Sequence, residues 1–176
     1  MHTPAMALLE DGRCRNAVLG RVSTSLTGAE AVAEVSRLLP VLAADLVEDW
    51  ILKLESALVV VEGQQFYGAK GRARPQDLIN LAQTAGAACA SLAPWAKQIL
   101  IPLPQQWKGS IPKKVKHKRI LNKLGWTFHE GRVVVPAACP LDVEFPPSKW
   151  THVIDAIGLA QWGERVKCPT QRDRRS

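Results

Sequence analysis

The sequence predicts an α/β fold, with a mixed β-sheet flanked by helices. Three observations predict it. An apolar, β-branched run at residues 57–61 reads as a strand covered on both faces. Helical stretches alternate with further short strands on either side of that run. Of the 176 residues, 47% are hydrophobic, enough for one full core. One domain over residues 1–166 is expected, followed by a basic tail, 167–176, expected to be disordered.

The elements follow in order. Residues 5–9 and 14–22 are apolar runs separated by Asp11-Gly12, a β-hairpin signal. Thr27-Gly28-Ala29-Glu30 is a capping box, with threonine at the N-cap and glutamate at N3. It opens a helical pattern reaching about residue 54, with a kink or break expected at Pro40. After the 57–61 strand and a polar, glycine-bearing loop, Pro75 suits the first turn of a helix to about Leu92. Its small residues, among them Ala82, Ala85 and Gly86, allow close packing on a sheet. Residues 98–103 form another strand. Pro112 opens a basic helix that Gly125 terminates. Val133–Val135 is a small extra strand, and Ser148 is the expected N-cap of a last helix through Gly163.

Composition narrows the function classes. No run approaches the roughly 18 apolar residues that span a bilayer, and no basic region followed by an apolar stretch opens the chain. A cytoplasmic protein without membrane contact is the default expectation. The four cysteines lack C-x-x-C spacing, which argues against zinc and for reduced thiols. Net charge is +7, which favours polyanionic partners. Placement sharpens this. Lys108, Lys113, Lys114, Lys116, Lys118, Arg119 and Lys123 fall in a sixteen-residue stretch with no acid. A basic surface of this kind meets phosphates; a solvated helix face is the other reading.

The chemistry-bearing residues are Glu62, His152 and Asp155. A carboxylate ending a central strand faces the crevice where open α/β sheets bind ligands. His152 and Asp155, spaced i and i+3, share one face of the last helix. Carboxylates converging on two divalent ions roughly 3.5–4 Å apart are the apparatus of two-metal phosphodiester hydrolysis. The histidine could ligate a metal, position water or move a proton. The alternative is a solvated strand-end glutamate and a chance H-x-x-D.

These residues resemble the RuvC Holliday-junction resolvases, especially their phage and prophage relatives, within the RNase H-like fold. The resemblance rests on Val59-Val60-Val61-Glu62-Gly63-Gln64-Gln65, the alanine-rich helix after it, Pro104-Gln105-Gln106-Trp107-Lys108-Gly109 and His152-Val153-Ile154-Asp155-Ala156. It implies a dimeric, Mg2+-dependent endonuclease (Mn2+ being the other candidate ion) that nicks two symmetric strands of a four-way DNA junction. Glu62 and Asp155 would be metal ligands, and His152 a ligand or proton-transfer residue. Phe66 and Tyr67, in the loop after the strand, would approach junction bases; packing of that loop is the equal alternative. Arg72 and Arg74 in the same loop, with Lys108, Lys113, Lys114, Lys116, Lys118 and Arg119, would contact DNA. Trp107 is expected to anchor its segment.

The family also carries an Asp on a first strand. Residues 1–4 resemble the loop after that strand and residues 5–9 the second strand, so the first strand is expected to be missing or truncated here. Asp11 and Glu10, at the hairpin tip, cannot replace its Asp. Two other functions stay open: an RNase H-like module that binds branched DNA without cutting it, and another RNase H-like enzyme such as a hybrid nuclease or integrase-type transferase.

Overall fold

The structure is a computed structural model that describes residues 4–10, 13–20, 28–46, 57–63, 75–94, 96–129, 132–136 and 145–167. The elements are β1 (Ala5–Glu10), β2 (Arg13–Leu19), α1 (Gly28–Leu46), β3 (Leu58–Val60), α2 (Pro75–Leu92), β4 (Gln98–Leu100), α3 (Pro104–Lys108), α4 (Lys113–Leu124), β5 (Thr127–His129), β6 (Arg132–Val134) and α5 (Trp150–Lys167). The order is the α/β alternation that the sequence predicts.

β1 and β2 form the antiparallel hairpin, with a register shift between Leu8 and Leu9. β3 and β4 pair in parallel, and β5 and β6 antiparallel. The strand set is therefore mixed. Among the described residues no ladder joins the hairpin to the β3–β4 pair. The parallel register continues past β3, because the Val61 and Gly63 amides donate to the carbonyls of Leu100 and Pro102 at 2.9 and 2.8 Å. Glu62 is thus carried on backbone held on both sides of it.

Strand side chains alternate between two helical layers, as the period of two requires. Met6, Val59 and Val61 pack toward α1 and α2, against clusters built on Ala31, Val35, Leu39 and Ala88 and on Ala43 and Leu92. Ala7 and Leu9 pack against the main core, where Ile120 and Leu121 of α4 meet Val153, Ile154 and Ile157 of α5. Trp150 anchors the start of α5, edge-on to Trp126 at 6.2 Å and to Phe145 at 5.1 Å. α5 approaches β3 at Gly163, where a Cβ would stand 2.5 Å from Val60 Cγ2.

Of the kink or break expected at Pro40, the break does not occur; α1 runs through it. A proline at that position removes the amide that would bond the Ser36 carbonyl. The structure supplies a substitute: the Ser91 hydroxyl of α2 donates to Ser36 O at 3.3 Å. The last helix also differs. Pro147–Lys149 form a 3-10 turn, so Ser148 lies in that turn and not at the cap, and α5 begins at Trp150. α3 and β5 were not expected from sequence. Thr27, the hairpin tip Asp11-Gly12 and the tail after Lys167 lie outside the described residues.

Candidate active site

The site is built where the end of β3, the α3–α4 turn and α5 meet. α3 is a single short helix. Pro104 starts it, and the Leu103 amide donates to Gln106 Oε1 at 2.7 Å. It buries Trp107 and points Lys108 back at β3. Gly109, at φ 65°, then turns the chain toward α4. That left-handed conformation suits glycine. α4 ends at Gly125, also left-handed, where the Trp126 amide donates to the Leu121 carbonyl at 2.9 Å.

Glu62 and Asp155 are both ion-paired. Lys108 Nζ donates to Glu62 Oε1 at 2.7 Å while standing 4.6 Å from the centroid of the Trp107 ring, which holds the ammonium from both sides. Asp155 is bonded through both oxygens. Lys113 Nζ reaches Oδ2 at 2.8 Å and His117 Nε2 reaches Oδ1 at 2.9 Å. Burial pushes the Asp155 carboxyl up, but the hydrogen bonds from His117 and Lys113 and the charge of Lys108 outweigh it and hold it below the ordinary carboxylate range. Asp155 is therefore an acceptor only, and the His117 Nε2–H is the donor. Lys108 pairs with Glu62 and its charge acts on Asp155, which ties the two acids to one locale.

A shallow pocket of about 120 Å³ opens there, lined by Lys108, Gly109, Lys113, Lys116 and Asp155 among others. The Lys116 ammonium donates to the Trp107 carbonyl at 3.0 Å. Burial, with the charges of Arg165 and Arg119, lowers its pKa. Lys114, Lys118 and Arg119 are exposed on the outer face of α4. His152 is half-buried on α5. Burial and the charges of Lys113 and Lys149 lower its pKa against the opposing pull of Asp155, which favours the neutral ring at pH 7. The histidine bonded to Asp155 is His117, not His152. Phe66, Tyr67, Arg72 and Arg74 lie outside the described residues.

His117 is the residue that sequence reading missed. Inside a lysine-rich run it reads as part of a solvated face. Its spacing to Ile120 and Leu124 was the available signal, since i+3 and i+7 place it on the apolar stripe of the helix.

Among the described residues no three His, Cys, Asp or Glu side chains cluster closely enough to hold a metal ion together. The site's two acids are each ion-paired with a lysine, and of the two Asp155 lines the pocket, beside Lys108, Lys113 and Lys116. Mg2+ binds through one or two carboxylates and keeps several waters. Among the described residues no helix is long and apolar enough to cross a membrane.

No protein-family model and no curated protein matches the chain. Among solved structures it is similar to that of Thermus thermophilus RuvC, with a TM-score of 0.54 and 19% identity, over 94% of this chain and 87% of that one. The fold is therefore the RuvC-like, RNase H-like α/β fold.

Proposed function

We propose that this chain is a metal-dependent, structure-selective DNA endonuclease that resolves four-way junctions and works as a homodimer, with Mg2+ or Mn2+ as its ion. One observation carries the reading. Glu62, at the end of β3, pairs with Lys108, which lines a lysine-rich pocket together with Asp155 of α5, on a fold like that of Thermus RuvC. Glu62 and Asp155 would hold the cation, and His152 lies on the same helix one turn earlier. When bound, a divalent cation lowers the pKa of water and stabilises charge on the phosphate. A pair of ions needs donors beyond these, such as the first-strand Asp of the RuvC family.

The chain's own groups do the rest. Lys108, Lys113 and Lys116 draw a phosphodiester into the pocket and orient it by charge. Lys108 and Lys113 exchange their carboxylate partners for phosphate oxygens, which frees Glu62 and Asp155. His152, kept neutral by burial and by its lysine neighbours, is able to accept a proton. Lys114, Lys118 and Arg119 extend the phosphate contacts along α4. Phe66, Tyr67, Arg72 and Arg74 would contribute from the loop after β3, with the aromatics stacking on junction bases. The tryptophan–lysine–glycine stretch at 107–109 is the feature that points to the phage-type branch.

A second reading is a module of the same fold that holds branched DNA without cutting it. The observation favouring it is that both carboxylates are already engaged, Glu62 by Lys108 and Asp155 by Lys113 and His117. Incubating the protein with Mg2+ and labelled four-way junction, linear duplex and RNA–DNA hybrid separates the readings. Nicking of the junction at two symmetric positions is expected. Tight junction binding with no cleavage of any substrate would establish the binding module instead, and preference for the hybrid would reassign the substrate.

A further inference from the structure

We propose that the pocket beside Asp155 is an anion site that takes small phosphate anions on its own, without metal, and that Asp155 is the gate that holds its affinity down. The inference rests on the reading of Lys108, Lys113 and Lys116 as phosphate contacts and deepens it: free phosphate and the DNA backbone compete for one pocket.

The lining decides the sign of the ligand. Lys108, Lys113 and Lys116 stand there against a single carboxylate, Asp155, and Pro104, Gly109 and Ile111 complete the wall. A surplus of positive charge around about 120 Å³ attracts an anion and repels a divalent cation, so no cation takes part in this proposal. The lysines are held from behind. Lys108 is fixed by Glu62 and by the Trp107 ring. Lys116 donates to the Trp107 carbonyl. Trp107 is 2% exposed, so one buried residue anchors both. Lys113 and Lys116, one turn apart, share a face of α4. Lys113 is also the first residue of that helix, whose N-terminal end carries positive partial charge. Each ammonium has N–H donors beyond the one bond named for it. A tetrahedral oxyanion has the several acceptors that use them together.

Asp155 opposes that ligand. Its carboxylate is bonded to α4 through both oxygens, to Lys113 at 2.8 Å and to His117 at 2.9 Å. The Asp155 side chain is 19% exposed and that of Lys113 56%, so the lysine is the partner that moves and the acid stays in the wall. An incoming anion must draw Lys113 off the carboxylate and then sit beside its negative charge. A small anion meets that cost with the pocket's contacts alone. A DNA backbone meets it with further contacts along α4, at Lys114, Lys118 and Arg119, which are exposed. The carboxylate therefore weakens free phosphate more than it weakens DNA.

The test is binding of inorganic phosphate to the whole chain in EDTA, followed by phosphorus nuclear magnetic resonance, with four-way junction binding in the same buffer as a second readout. Saturable phosphate binding by the wild type is expected, and phosphate should displace the junction more than chloride does at equal ionic strength. Asp155→Asn and Asp155→Ala are each expected to bind phosphate about 10-fold tighter. Lys113→Ala and Lys116→Ala should bind it about 10-fold more weakly. Asp45→Asn and Lys97→Ala, at exposed positions on α1 and just before β4, should leave it unchanged. Phosphate affinity equal to or below wild type in both Asp155 variants overturns the gate, as does an equal gain in Asp45→Asn. A loss in Lys97→Ala equal to that in Lys113→Ala overturns the pocket as the site. A wild type that binds the junction but not phosphate overturns this inference and leaves the junction reading standing. A wild type that binds neither overturns both.

Discussion

Two helix pairs frame the strand layer, and they are built differently. α1 and α2 meet through apolar side chains, Ala31, Val35, Leu39 and Ala88, with the Ser91–Ser36 hydrogen bond beside them. α4 and α5 meet at Gly158 and Ile120, and the same seam carries the Asp155–His117 and Asp155–Lys113 bonds. The first pair stabilises the fold alone. The second sets both the fold and the geometry of the proposed chemistry. Equal losses of stability in the two pairs should therefore have unequal consequences for function.

Substitutions sharpen this contrast in descending order of effect. Leu39→Ala, at a buried position of the first pair, should cost about 2–5 kcal/mol of unfolding free energy in denaturant titration. The junction-cleavage rate of the folded fraction should stay near wild type. Gly158→Ala forces a methyl into contact with Ile120 and Trp107 and should cost about 1–3 kcal/mol. Unlike Leu39→Ala, it should also slow cleavage by the folded fraction, because α4 must move away from Asp155. A Gly158→Ala protein that cleaves at the wild-type rate would break the comparison. Ser91→Ala, which leaves the Ser36 carbonyl above Pro40 without its hydroxyl donor, should cost about 1 kcal/mol and leave cleavage unchanged.

The pH dependence separates the pairs as well. Asp155 has a folded-state pKa below its ordinary value of 3.8, so the unfolded chain binds its proton first as pH falls. Its contribution to stability is fully present above that ordinary value and is lost as pH falls through the folded-state pKa. In metal-free protein, Asp155→Asn should flatten this acid limb of the unfolding free energy, and Leu39→Ala should shift the curve without changing its shape.

Much of this arrangement was legible in the sequence where a local rule decides. Pro75 opens α2, and the Pro112–Gly125 punctuation bounds α4. The strand-end position of Glu62 and the helical spacing of His152 and Asp155 follow from periodicity. What escaped depends on contacts between distant residues. Pro40 reads as a break or kink because the sequence does not show that Ser91, 55 residues from Ser36, donates to the freed Ser36 carbonyl. His117 reads as one more residue of a basic face because its partner Asp155 is 38 residues on. α3 is five residues long, too short for a periodic signal.

The central claim is that Glu62 and Asp155 serve one cation-dependent cleavage site. Mg2+-dependent nicking of a synthetic four-way junction by wild type, Glu62→Gln and Asp155→Asn tests it most directly. The account predicts paired, symmetric nicks by the wild type. It predicts cleavage reduced by roughly 100-fold or more in both variants, with junction binding in EDTA retained. Variants that nick the junction at the wild-type rate would contradict it.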